Sequence, residues 1–174
     1  CAAGYAPKTN DDGTYGVRQA TYVAAIGNAK YESLAEAIKA AQAGQTVALL
    51  TDIDTPDVTY VIEKSVTIDL NGKTVTGSGY DGVFQIAGEK AEAVIKNGKI
   101  VAVEQSGSAG KYAMAIWACA ADSKVTLEGL DVSQKITHTD DKQMDMIYTS
   151  AGTIIINSGT FESGTPKWTL NCKD

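Results

Sequence analysis

The sequence predicts an all-β chain: a short right-handed parallel β-helix, a solenoid of about four coils, with an N-terminal hairpin and one capping α-helix. Three observations carry that expectation. Beyond Gly44, apolar residues alternate with a period of two, in short runs bounded by turn residues. Four segments repeat one pattern of apolar strand, turn ending in glycine, and second short strand: Val66–Val75, Val94–Ile100, Val125–Val132 and Ile154–Phe161. Their glycines, Gly72, Gly98, Gly129 and Gly159, lie 26, 31 and 30 residues apart. Only residues 33–44 keep the helical period.

In chain order, Asp12-Gly13 is a turn dipeptide and Thr14–Val17 a short strand after it. Gly27-Asn28 between Thr21–Ile26 and Ala29–Glu32 reads as a two-residue hairpin. Next comes the helix. Ser33 and Glu36 have capping-box spacing, Leu34, Ala37, Ile38 and Ala41 form one apolar stripe, and Gly44 occupies a C-terminal αL position. Strands are then expected at Thr46–Leu50, Thr59–Glu63, Val66–Leu70, Thr74–Thr76, Val83–Ala87, Ala93–Lys96, Ile100–Val103, Ala113–Cys119, Lys124–Leu127, Met146–Thr149 and Thr153–Ile156.

Stacked coils put equivalent residues in ladders about 4.8 Å apart. Ile68, Ile95, Leu127 and Ile155 or Ile156 would point inward, with Asn71, Asn97 and Asn157 bonding along the stack at the bend. An antiparallel meander is the competing topology. The amphipathic helix sits where an N-terminal cap belongs. At the other end no capping signal follows, and residues 165–174 look like a new strand starting. Residues 1–20 form an N-terminal arm, the end of a preceding module or a donor segment. Residues 21–174 make one domain of hairpin, capping helix and β-helix.

Composition narrows the function. The 174 residues carry 15 Lys+Arg against 21 Asp+Glu, for a net charge of −6, and Arg18 is the only arginine. That argues against a nucleic-acid binder, which needs a basic face. With His138 as the one histidine, zinc chemistry and His-dependent nucleophilic catalysis have little to work on. No apolar run approaches the roughly 18 residues of a membrane-spanning helix. Three cysteines, Cys1, Cys119 and Cys172, are too few for a disulfide framework. No signal peptide is evident.

The stretch Ala29–Gly77, above all Tyr31–Ile38, Gly44–Asp52 and Val66–Gly72, resembles a recurrent module of large surface proteins of gut bacteria and some phages, similar to the pectate-lyase-like right-handed β-helix superfamily. Over 78–163 the likeness rests on strand–turn pattern alone. Gly4–Val17 resembles the closing segment of such a module. The resemblance implies an extracellular, cell-surface and mostly non-catalytic role. Its enzymes place clustered carboxylates, with Ca²⁺ and a basic residue in the lyases, on one outer face. Here Arg18 lies outside the coils, and Asp69 meets Lys96, Thr126 and Ile155 at the expected sister positions, which form no carboxylate ladder. No catalytic residue, metal or cofactor is therefore assigned.

Other candidates stay open. Asp140, Asp141 and Asp145 offer oxygens for Ca²⁺ but lack the alternation of a calcium loop, and a solvated loop, His138 included, is the simpler account. Tyr80, Tyr112, Trp117 and Tyr148 fall in corresponding parts of successive coils, a possible glycan platform or ordinary packing. Cys119, in an Ala-rich strand, reads as a small buried hydrophobe. Cys1 also fits a lipoprotein start. Cys1 and Cys172, near opposite ends, suit a bond between chains better than one within a chain.

The function expected is a non-enzymatic extracellular structural or adhesive module. It would assemble head to tail into a filament by strand addition at the open C-terminal end, through Cys1, Tyr5, Tyr15, Trp168 and Cys172. Its partners are itself or neighbouring modules of a longer surface protein. A carbohydrate-binding module is the alternative, and a polysaccharide-active enzyme the third reading.

Overall fold

The computed structural model describes residues 4–77, 81–104, 112–137, 145–164 and 169–173. The chain is mostly β, with one helix among the described residues. Strands β1 (Tyr5–Thr9) and β2 (Tyr15–Gln19) form an antiparallel hairpin. In its turn the Asp12 carboxylate accepts from the Thr14 N–H, and Gly13 has φ +81°. Strands β3 (Ala24–Ile26) and β4 (Ala29–Tyr31) form the second hairpin, around Gly27 at φ +57°.

Helix α1 spans Leu34–Ala40. The Ser33 side chain caps it by accepting from the Glu36 N–H, and Leu34, Ala37, Ile38 and Ala41 are buried as the stripe predicts. The helix stops earlier than Gly44 implies. Ala41 is its C-cap, and Gly44 (φ +82°) instead turns the following loop, where the Gln45 N–H donates to the Gln42 carbonyl. The C-terminal carbonyls of Lys39 and Ala41 are met by the Lys64 ammonium.

The remaining strands are β5 (Thr46–Leu49), β6 (Ile53–Thr55), β7 (Tyr60–Ile62), β8 (Thr67–Asp69), β9 (Thr74–Gly77), β10 (Phe84–Ile86), β11 (Glu92–Val103), β12 (Ile116–Ala118), β13 (Lys124–Lys135), β14 (Ile147–Thr149), β15 (Thr153–Ile156), β16 (Gly159–Glu162) and β17 (Leu170–Cys172). Ala93–Lys96 and Ile100–Val103, expected as two strands, are one continuous strand, and β13 runs on to Lys135. Every pairing from β5 onward is parallel, apart from the antiparallel contact of β5 with β3, so the meander is excluded.

The parallel pairings fall into three rows. The first is β7-β10-β12-β14-β17. A second joins β5, β8, the start of β11, the start of β13, and β15. A third joins β6, β9, the later halves of β11 and β13, and β16. One hydrophobic cluster draws on all three, so the core lies between them. Its ladders run in register, as in Val47–Ile68–Ile95–Leu127–Ile156.

The break between the second and third rows falls at a left-handed residue: Asn71 (φ 51°), Asn97 (φ 58°) or Gly129 (φ 57°). This corrects the glycine alignment. Gly98 and Gly159 both pair with Leu130, whereas Gly129 falls opposite Asn97, which the ladder skips. The asparagines bond along the stack as expected. Asn71 donates to the Leu49 carbonyl, Asn97 to Asp69 at 3.3 Å and Asn157 to Glu128 at 3.0 Å.

One end of the rows is covered. Helix α1 packs beside β7, and β3 pairs along β5 with β4 outside it. The β1–β2 hairpin is tied to this end. Arg18 grips Glu32 through two bonds of 2.5 and 2.6 Å, and Glu32 also accepts from the Thr21 N–H. The Arg18 hydrogen bond holds the Glu32 carboxyl below its ordinary value. A depressed carboxylate keeps its contribution above the ordinary carboxylate range and loses it as pH falls through the folded value. Glu32→Ala is therefore expected to speed amide hydrogen exchange in β1 and β2 and leave β11 and β13 protected. Lowering the pH through the Glu32 range should lower the protection factors of the same amides in the unmodified chain, taken relative to the slower intrinsic exchange at that pH. Unchanged exchange in β1 and β2 would mean another contact holds the hairpin.

Candidate functional site

Two surfaces stand out: the two ends of the rows, and one outward line of side chains. At the far end, β15, β16 and β17 each have one edge without a partner among the described residues. Burial shows what this means for the core. Along the first row the inward residues Tyr60, Phe84, Ile116 and Ile147 are at most 3% exposed, but Leu170 is 55% exposed. Along the second, Ile68, Ile95 and Leu127 are fully buried, and Ile156 is 37% exposed. A hollow of about 90 Å³ opens there between Ile147, Ile154, Ile156, Leu170 and Cys172. Ile156, not Ile155, is the inward member of the ladder, because Ile155 pairs with the outward Thr126.

The other end carries the β1–β2 hairpin. Cross-strand partners share a face, so Tyr5, Pro7 and Thr9 lie together with Gln19, Val17 and Tyr15. This face is apolar and open, with Tyr5 48%, Val17 61% and Tyr15 88% exposed. Of the residues expected at the joint, Tyr5 and Tyr15 thus share one face of the hairpin at the covered end, Tyr5 opposite Gln19 and Tyr15 opposite Thr9, and Cys172 is exposed on β17 at the open one. Cys1 and Trp168 lie outside the described residues. Seven strands run from β4 to β15 along the sheet, both included, which makes six gaps or roughly 29 Å.

The outward line lies on the first row. Inward Phe84, Ile116 and Ile147 alternate with neighbours that must face away from the core: Gln85, Trp117 and Tyr148, joined in register to Asn171 on β17 and Val61 on β7. The Trp117 and Tyr148 rings lie 6.2 Å apart with planes within 26° of each other. Trp117 Nε1 donates to Ser150 Oγ at 3.0 Å, and Asn171 Nδ2 to Asp145 Oδ1 at 3.1 Å. Burial raises the Asp145 carboxyl above its ordinary value, with the Asn171 bond opposing. Of the four aromatic candidates, Trp117 and Tyr148 come together, Tyr112 lies off the row, and Tyr80 falls outside the described residues. Gln85 and Asn171 complete the row, which only the register reveals.

The charged row differs from its expected form. Asp69 is flanked by Lys96, which pairs with Glu128 rather than Thr126, so the line reads acid, lysine, acid. Lys96 Nζ stands 3.9 Å from Asp69. A polar cleft of about 260 Å³ outside the third row is lined by Lys99, Asp131, Ser133, Thr160 and Glu162. Asp140, Asp141 and His138 lie outside the described residues. Among the described residues no group of three or more His, Cys, Asp or Glu could hold a metal ion, and no helix is long and apolar enough to cross a membrane.

Cys119 is half-buried, not fully buried, and its thiol donates to the Ile86 carbonyl at 3.4 Å. Desolvation raises its pKa, which disfavours a reactive thiolate. No protein-family model, curated protein or solved structure matches the chain.

Proposed function

We propose that this chain is a non-enzymatic structural and adhesive module of an extracellular surface, built as a short right-handed parallel β-helix related to the pectate-lyase-like modules, which joins head to tail with copies of itself. Three in-register parallel rows around one core support the solenoid reading, and the general handedness of parallel crossovers supports its hand. The observation that carries the assembly reading is the jump in exposure along the inward ladders, from Ile147 at 2% to Leu170 at 55%. Apolar side chains and unpaired strand edges together form a template for strand addition. The opposite end of the same chain offers a hairpin with two edges unpaired among the described residues and an unburied apolar face. A contact between unlike ends propagates unless it closes. Alternating charge along Asp69, Lys96 and Glu128 favours stacking over catalysis, since neighbouring opposite charges neutralise one another.

Light scattering coupled to size exclusion, with negative-stain images of the same fractions, tests the reading. The expected result is species larger than 18.2 kDa that grow with concentration and show a regular axial repeat. Ile156→Lys at the open end and Tyr15→Asp on the hairpin should each return the monomer with an unchanged circular dichroism spectrum. Loss of the polymer in reductant would assign the joint to thiols, Cys172 among them. A monomer at every concentration, with and without reductant, overturns self-association.

A further inference from the structure

The outward row of the first sheet has a composition that neither core packing nor end-to-end joining requires. Its four consecutive members, Gln85, Trp117, Tyr148 and Asn171, are all half-buried, each on a different strand and in strict register. Three strand gaps separate the first from the last, a span of about 14 Å. Two aromatic rings occupy the middle and an amide stands at each end. The rings have closely aligned planes, and the central indole is fixed by its bond to Ser150.

We propose that this row binds a short, linear, uncharged oligosaccharide laid across the strands. A pyranose ring presents C–H groups on its faces and hydroxyls around its rim. The negative face of an aromatic ring attracts the first. A carboxamide, donor and acceptor at once, serves the second. The order amide, indole, phenol, amide supplies both along one line. Charge selects within the class. The row holds no cationic side chain, Asp145 lies against Asn171, and the chain carries −6 overall, so a uronate or sulfated glycan meets repulsion and no counter-charge. Pre-set geometry adds to affinity by lowering the cost of ordering. Trp117 is held by Ser150, and Asn171 is held through its Nδ2 by Asp145, which leaves its Oδ1 as an acceptor. This site lies on the outward flank of the rows, and of its four members only Asn171, on the end strand β17, adjoins the joint.

Native gel electrophoresis through soluble mixed-linkage β-glucan, galactomannan or arabinoxylan tests the assignment, with polygalacturonate as the anionic control. At least one neutral polymer should retard the full chain, and polygalacturonate should not. Trp117→Ala should weaken the retardation roughly tenfold, the size expected for losing an anchor aromatic. Trp117→Phe and Tyr148→Phe, which keep a ring, should retain most of it, and Gln85→Ala should weaken it severalfold. Tyr15→Asp, which targets the joint, should leave it unchanged, so the two functions fail separately. Should Trp117→Ala not fold, Gln85→Ala and the ring-keeping pair decide. Absence of retardation in all three neutral polymers overturns the proposal. So does retardation by polygalacturonate alone, or retardation that Trp117→Ala and Gln85→Ala leave intact.

Discussion

Phe84→Ala is expected to cost about 3–5 kcal/mol of folding stability, the range for truncating a buried phenylalanine. Phe84 is fully buried in the middle of the first row, paired with Tyr60 on one side and Ile116 on the other. Its ring centroid is 5.6 Å from that of Tyr60, whose hydroxyl shares a 2.7 Å hydrogen bond with Thr55. Removing the ring takes support from a neighbour held at its far end, so collapse into the void is restricted. Against a typical total of about 5–15 kcal/mol, such a loss brings the fold near its limit. Urea unfolding followed by circular dichroism measures it, with Leu50→Ala, at an exposed position, as the control. A loss below about 1 kcal/mol would mean that the three rows close up over the gap.

Gly98→Ala is expected to be the more damaging of two glycine substitutions, at the upper end of the about 1–3 kcal/mol that overpacking costs. An added Cβ would stand 2.4 Å from the Leu70 Cβ and 2.6 Å from the Lys73 carbonyl oxygen, both fixed parts of the adjacent repeat. Gly129 provides the comparison. It holds the left-handed conformation, at φ +57°, but its nearest neighbour would be the Asn97 Oδ1 at 3.6 Å, so alanine there meets backbone strain of only about 1–2 kcal/mol. Thermal melts of the two variants rank the effects. Equal melting temperatures would show that the repeats separate enough to admit a methyl group.

The locally determined elements were the legible ones. The Asp12-Gly13 and Gly27-Asn28 turns and the Ser33 cap act within a few residues, and the structure places each of them as expected. The inward ladder was legible because a buried strand leaves an apolar period of two. Properties that depend on register were not. Glycine positions suggested one alignment of the repeats, but the first turn carries two more residues between its paired strands than the next, and the left-handed role passes from Asn97 to Gly129. The shift moved Glu128, not Thr126, into line with Lys96. It also hid Gln85 and Asn171, two ordinary amides that gain meaning only beside Trp117 and Tyr148. Strand β6 leaves no sequence signal, because Ile53–Thr55 is three residues long with a single apolar side chain. The helix ended early because Gly44 was claimed by a turn against Ser65, whose carbonyl accepts its N–H.

The strand contacts run between neighbouring repeats, from α1 and β3 at one end to β17 at the other. The solenoid proposed above would have no preferred length. Duplicating or losing one unit of about 30 residues would change how far it reaches while leaving its cross-section and both ends as they were. Reach is then a quantity that inheritance can adjust in whole steps, without redesigning a core.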